Sequence, residues 1–172
     1  MSLYSEITTG AVNFAFTLVN GTVPEQAEAC IESNRMFFHR HGIPFRVIPY
    51  ESTIFGDVGK SGDYHRFKIA SEHRRVLYLD WDCRMIELPD LHPDIPLFAP
   101  LRESPSVFDG FLFYNGDSPL FKEYFEYHCR TSNNFEACFY FTMNTFFKGR
   151  VCLFPEKCFK HLYLGAWALC NQ

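Results

Sequence analysis

The 172-residue chain has no basic block: 16 Lys and Arg stand against 20 Asp and Glu, for a net charge of −4. No nucleic acid partner and no polybasic membrane contact is therefore expected. Seven cysteines occur, at 30, 83, 129, 138, 152, 158 and 170, but no C-x-x-C pair, and their number is odd. That pattern fits reduced thiols used as small apolar filler, rather than a zinc site or a disulfide frame. Long apolar runs are also missing. "AVNFAFTLVNG" (11–21) is interrupted by Asn13 and is too short to cross a bilayer. "MSLYSEITTG" lacks a basic n-region, so no targeting segment is expected. A cytoplasmic location is expected. Peripheral association with a membrane stays open, because exposed aromatics are invisible in a sequence. There is no internal repeat and no low-complexity linker.

Aromatic residues are plentiful: 20 Phe, 9 Tyr and 2 Trp. They suffice for a sizeable core in one domain, 1–172. "NFAFTLVNG" (13–21) reads as a strand ending in a turn. A helix follows over about 24–41, with Pro24, Glu25 and Glu28 suiting its start. His39, Arg40, His41 and then Gly42 suit its end. "PFRVIPY" (44–50) is a second strand, parallel to the first across the helical crossover. "ESTIFGDVGKSG" (51–62) reads as a Gly-rich loop, 63–75 as a helix, and "VLYLDWD" (76–82) as a third strand. "LPDLHPDIPLFAP" (88–100) holds four prolines, which predicts irregular or edge structure. A strand over 108–116, helices over 119–130 and 134–147, and a short strand over 149–155 complete the pattern. The tail beyond has no clear period. The βαβαβ opening argues an α/β sandwich with a mainly parallel sheet.

In such sheets ligands bind beyond the carboxyl ends of the strands. The third strand ends there on Asp80 and Asp82. Alternation points both acids the same way if the strand persists. Their repulsion is relieved by Mg²⁺ or Mn²⁺, hard cations that share carboxylates with substrate phosphates. The plainer alternative is one Asp capping a turn and the other solvated. The preceding helix favours the metal. Asp63 and Arg66 are three residues apart and share a helical face. A helix over 63–73 advances roughly 16 Å and the strand returns roughly 20 Å, so these residues come back beside the two acids. The plainer alternative here is an ordinary i,i+3 ion pair near a helix start.

"SGDYHRFKIASEHRRVLYLDWD" resembles the core signature of GT-A-fold, DXD-containing nucleotide-sugar glycosyltransferases. It is closest to the group of yeast initiating α-mannosyltransferases, clostridial glucosylating toxins and glycogenin-like enzymes. Ser61, Asp63, Arg66, Leu77, Tyr78, Asp80 and Asp82 stand at the matching places. The usual Gly-Gly before the strand is here Arg74-Arg75. "FDGFLFYNGDSPLFKEYF" is similar to the group's Asn-(Ala/Gly)-Phe strand and following helix, with Asp109 at the polar place. The 133–159 stretch resembles the acidic helix and Gly-x-Val-x-x-Leu-Pro strand, with Glu136 its retained acid. "HLYLGAW" (161–167) looks like the closing His-x-x-x-Gly-Ser-Trp element, with Ala166 for Ser.

The resemblance implies a GT-A-like three-layer sandwich, with a nucleotide-sugar-binding half at about 11–88 and a closing half at about 89–172. It implies a metal-dependent hexosyltransferase that retains anomeric configuration. The metal, Mn²⁺ or Mg²⁺, would sit on Asp80, Asp82 and His161. Asp63, Arg66, Asp109 and Glu136 would serve the sugar and the chemistry. Thr17, Val19, Asn20, Asp63, Arg66, Tyr78, Asp80, Trp81 and Trp167 would line the donor site. The donor would be a UDP- or GDP-linked sugar and the acceptor an unspecified sugar, lipid or protein. Each also has a structural alternative: His161 at a core edge, Trp167 as a core anchor, Glu136 as an ordinary cap or pair. Two other functions compete. A catalytically degenerate GT-A-like binding or assembly module draws on the short chain, Ala166 and Asp109. A dehalogenase-like phosphatase fits poorly, because its Asp-x-Asp strand usually opens the domain, and Arg84 stands where Thr or Val would follow.

Overall fold

The computed structural model describes residues 11–23, 25–51, 53, 58–98, 112–126 and 152–161. The opening βαβ unit forms as its sequence predicts. Strand β1 (Phe14–Val19) leads to helix α1 (Glu25–Arg40) and strand β2 (Phe45–Pro49), and β1 and β2 pair in parallel. Helix α1 carries Glu25 and Glu28 in its first turn and His39 and Arg40 in its last, each sign suited to the helix dipole. It ends in a Schellman motif. Gly42 adopts φ 66°, its N–H donates to the His39 carbonyl (3.0 Å), and the Ile43 N–H donates to the Phe38 carbonyl (2.9 Å). Phe38 and Ile43 are both buried in the same core cluster, the apolar contact that accompanies this cap.

Helix α2 (Val58–Glu72) starts five residues before the predicted 63. The segment "GKSG" hides it, because each helical Gly is unfavourable by about 1 kcal/mol relative to Ala. Packing explains why at least one Gly is there. A Cβ on Gly62 would stand 2.9 Å from the Tyr50 hydroxyl, so the missing side chain lets α2 lie close to the end of β2. Asp63 and Arg66 are therefore the sixth and ninth residues of α2, beyond its first turn, where the helix dipole is weak.

Strand β3 (Val76–Leu79) pairs in parallel with β1. Arg75, just before it, has φ 54°, the left-handed region that favours glycine. An Arg in this conformation is strained. The backbone is held there by two bonds: Arg75 N–H donates to the Gly116 carbonyl (2.7 Å), and the Arg75 carbonyl accepts from Asn13 N–H (2.8 Å).

After β3 come β4 (Cys83–Met85), β5 (Leu97–Phe98), β6 (Leu112–Tyr114), the short helix α3 (Leu120–Tyr124), β7 (Cys152–Leu153) and β8 (Phe159–His161). The main sheet has the order β2-β1-β3-β6-β5-β7. Three of its pairings are parallel and two, those of β6, are antiparallel, so it is mainly parallel. β4 and β8 form a separate antiparallel ribbon. Two expectations change here. The Pro-rich 88–100 segment is not simply irregular or edge, because β5 lies inside the sheet. Leu97 and Phe98 are themselves free of proline and keep their ladder N–H groups. The aperiodic tail contains β8, too short to show a period. The predicted helix 134–147, and residues 108–111 and 127–130 of two other predicted elements, lie outside the described residues.

Alternation along the strands builds two cores. Phe14, Phe16, Leu18, Val76, Tyr78 and Phe113 pack against α2 and α3 through Phe67, Ala70, Phe121 and Tyr124. Ala15, Leu77, Leu79, Leu112 and Tyr114 face the other way, with Phe37 and Phe38 of α1. The result is a three-layer α/β sandwich with helices on both faces. Among the described residues, no helix is long and apolar enough to cross a membrane.

Candidate active site

The carboxyl ends of β1, β2 and β3 lie side by side through their parallel register. Asn20 Nδ2–H donates to the Tyr50 carbonyl (2.9 Å), and Tyr50 N–H donates to the Val19 carbonyl (3.0 Å), tying the first two ends together. Thr17 is fully buried on β1, and its Oγ1 has no hydrogen-bond partner among the described residues. Val19 and Asn20 are half-buried at the rim.

β3 stops at Leu79, three residues short of the predicted strand end. Cys83 N–H donates to the Asp80 carbonyl (2.9 Å), closing a turn over Asp80, Trp81, Asp82 and Cys83. The two acids thus occupy the first and third corners of a turn, and strand alternation does not orient them. Aspartate at the first corner is a turn-former in its own right. Asp80, Trp81 and Asp82 are all half-buried.

Around this turn the structure brings Asp63, Arg66 and Asp80 into contact. Arg66 is 7% exposed. One guanidinium nitrogen, Nη2, pairs with Asp63 Oδ1, and the other, Nη1, stands 3.7 Å from Asp80 Oδ1. The Tyr78 hydroxyl donates to the same Asp80 oxygen. Residues from a helix and from the strand that follows it therefore meet at one point: the advance of α2 from Arg66 to its end at Glu72, about 9 Å, is nearly matched by the return along β3 to Asp80, about 13 Å. The rings of Phe67 and Tyr78 flank the guanidinium carbon at 5.3 and 5.5 Å. Burial opposes the charge on Arg66, but Asp63, then Tyr78 and Asp80, outweigh it and raise its pKa. Burial, and then Asp80, push the Tyr78 phenol well above its ordinary value, against an opposing pull from Arg66. Tyr78 stays a neutral donor, committed to Asp80.

Asp82 is coupled to the opposite layer. The Cys30 thiol on α1 is pushed up to about 11 by burial and then by Asp82, with Arg84 pulling the other way. The Cys83 thiol is raised by burial and then by both Asp80 and Asp82. Both thiols remain protonated and inert beneath the turn. Sequence reasoning missed this α1 side altogether. The signal available was a buried-type helix position, Asn34, carrying a polar residue amid apolar neighbours. Its carboxamide bonds the Cys83 carbonyl (2.7 Å) and the Met85 N–H (2.9 Å).

The fit to a divalent cation rests on the donor chemistry. Asp63 and Asp80 address the buried Arg66 guanidinium, and Asp80 and Asp82 offer hard oxygens from a single short turn. No group of three His, Cys, Asp or Glu side chains converges among the described residues. Two carboxylates completed by substrate phosphates and water are nevertheless a common Mg²⁺ arrangement. β8 runs beside β4 with His161 opposite Cys83, which brings the His161 backbone next to the acid turn. Asp109, Glu136 and Trp167 lie outside the described residues.

No protein-family model matches the sequence, and no curated protein matches it. Among solved structures, the chain is similar to the crystal structure of a glycosyltransferase involved in the glycosylation of the major capsid of PBCV-1. The TM-score is 0.57 at 16% identity, over 87% of this chain and 93% of that one. The chain therefore has the fold of a glycosyltransferase, with its acid turn at the carboxyl end of the parallel strands.

Proposed function

We propose that the chain is a metal-dependent glycosyltransferase. It would move a hexose from a UDP- or GDP-linked donor to a sugar, lipid or protein acceptor, with retention at the anomeric carbon. The observation that carries this reading is Arg66 of α2, buried against Asp63 and reaching Asp80 at the end of β3. The glycosyltransferase fold supports it.

Asp80 and Asp82 would hold Mn²⁺ or Mg²⁺, with His161 as a further ligand. The bound ion supplies positive charge where negative charge grows on the diphosphate leaving group. The chain's own residues do the rest. Tyr78 and Arg66 both address Asp80 Oδ1, so that carboxylate is oriented before any ligand arrives. Asp63 keeps 16% side-chain exposure and can accept hydrogen bonds from sugar hydroxyls while bound to Arg66. Arg66 offsets part of the acid charge and so lowers the repulsion that a diphosphate meets. The rim formed by Val19, Asn20 and Tyr50 suits the nucleoside. Asp109, Glu136 and Trp167 belong to the closing half in this reading, and no general base is assigned.

The test is a panel of UDP- and GDP-sugars incubated with the protein and Mn²⁺, scored for slow hydrolysis of the donor. Release of UDP or GDP from one donor, lost without the cation, is expected. Tight donor binding with no release under any condition would instead identify a degenerate binding module.

A further inference from the structure

The acid turn is braced at its first corner by Arg66 and Tyr78. Its last corner is braced by a residue to which the proposed chemistry gives no part. Asn34 lies in the middle of α1 and is 1% exposed. Its Nδ2–H donates to the Cys83 carbonyl at 2.7 Å, and its Oδ1 accepts from Met85 N–H at 2.9 Å. One carboxamide thus mimics a neighbouring strand along one edge of β4, while β8 pairs with β4 through Cys83, Arg84 and Met85. Cys83 is fixed at both its polar groups: its N–H closes the turn on Asp80, and its carbonyl is held by Asn34.

A two-stranded ribbon such as β4–β8 has little independent stability. The position of Asp82, one residue before the ribbon, therefore depends on what fastens β4 to the body of the protein. Cys83 and Met85 are buried in the core beside α1, and Asn34 supplies the polar part of the fastening through two buried hydrogen bonds, whose loss would strand a backbone donor and an acceptor without partners. We propose that Asn34 is a positioning residue that sets the conformation of the Asp80–Cys83 turn and thereby its capacity to take a nucleoside diphosphate with a divalent cation. The ligand part of this proposal rests on the glycosyltransferase reading; the conformational part does not.

Asn115 provides the control. It is equally buried, and it accepts from Val76 N–H (2.8 Å) and donates to the Ala70 and His73 carbonyls (2.8 Å each). These bonds lie at the opposite end of β3 from Asp80. Asn34→Ala and Asn115→Ala are both expected to lower the urea midpoint. Only Asn34→Ala should speed native-state hydrogen exchange across residues 80–85 by tenfold or more. Only Asn34→Ala should weaken binding of UDP or GDP in the presence of Mn²⁺ by tenfold or more, measured well below the unfolding transition. Should Asn34→Ala fail to fold, Asn34→Asp keeps the shape and the acceptor for Met85 but loses the amide donor at neutral pH, and the same local exchange is expected from it. Exchange and affinity in the Asn34 variants matching those of Asn115→Ala would overturn the proposal while leaving the functional reading intact. A wild-type chain that takes up neither UDP nor GDP with Mn²⁺ would overturn the functional reading, and with it the ligand part of the proposal.

Discussion

Replacing Arg66 with Met removes the guanidinium and keeps an apolar stem between the rings of Phe67 and Tyr78. The side chains of Arg66 and Asp63 are 8% and 16% exposed, so their ion pair is a buried one. Breaking such a pair from one side costs about 3–5 kcal/mol, because the remaining charge has lost its partner. The Asp80 contact is longer, at 3.7 Å, and that carboxylate is 24% exposed. Screening by solvent limits this second contribution to about 1 kcal/mol or less. Loss of the two cation–π contacts adds about 0.5–2 kcal/mol, of which a Met sulfur near the rings recovers part. Contributions that share one guanidinium do not add, so about 3–5 kcal/mol in total is expected. That is a large share of the roughly 5–15 kcal/mol typical of a folded domain.

The sign of the pH dependence follows from the two acids left behind. Without Arg66, Asp63 and Asp80 repel, and each raises the other's pKa in the folded variant. A carboxyl with a raised folded pKa destabilises above that pKa and ceases to do so once protonated. The deficit relative to wild type is therefore greatest near neutrality and shrinks as the pH falls toward ~4. Urea denaturation at pH 7.5 and pH 5 measures both quantities. Arg66→Lys keeps the charge but not the two-pronged geometry, and should fall between Met and wild type. A loss below about 1 kcal/mol, or a loss of equal size at both pH values, would refute the idea of a buried network.

Two further predictions concern positions that sequence reading treated lightly. Burial, and then Asp82, push the Cys30 thiol from its ordinary 9.0 up to about 11 in the folded chain. A raised pKa means that its contribution is full below pH 9 and is lost as the pH rises toward 11. Cys30→Ala should therefore show a shallower decline in stability over that window, and an unchanged slope would disprove the coupling to burial and Asp82. Arg75 sits at φ 54°. Arg75→Val should lower stability by about 1–2 kcal/mol because a β-branched residue resists that conformation, while Arg75→Gly should stay within about 0.5 kcal/mol of wild type as relieved strain offsets greater unfolded-state freedom. Equal thermal midpoints for the Val and Gly variants would contradict a left-handed backbone there.

How much of this was legible in the sequence depends on the length of each element. α1 announces itself through paired charges at both ends and Gly42 beyond its last turn, and β1 and β2 through apolar runs bounded by turns. The meeting of Asp63, Arg66 and Asp80 was also legible, because it needs only the rise of a helix and of a strand. What escaped was local and short. Gly59 and Gly62 disguised the first turns of α2 through their low helix propensity, and a Cβ on Gly62 would crowd the Tyr50 hydroxyl. Trp81 extended the apolar pattern past the true end of β3, although Asp80 had already begun a turn. β4 and β8 have three residues each, too few for a period to show, and their pairing across more than seventy residues has no local signal. Asn34 looked like one polar residue on an amphipathic helix, and only its bonds to Cys83 and Met85 reveal a structural purpose.

The central claim is that the acids of the turn grip a nucleoside diphosphate through a shared cation. Its most direct test is a calorimetric titration of UDP and of GDP, with and without Mn²⁺, into wild type and Asp82→Asn. Asn is as acceptable as Asp in a turn, so the thermal unfolding profile should be the same in both proteins. The account predicts binding by wild type only when Mn²⁺ is present, and none by the variant. Equal binding by the two proteins, or binding that ignores Mn²⁺, would contradict it.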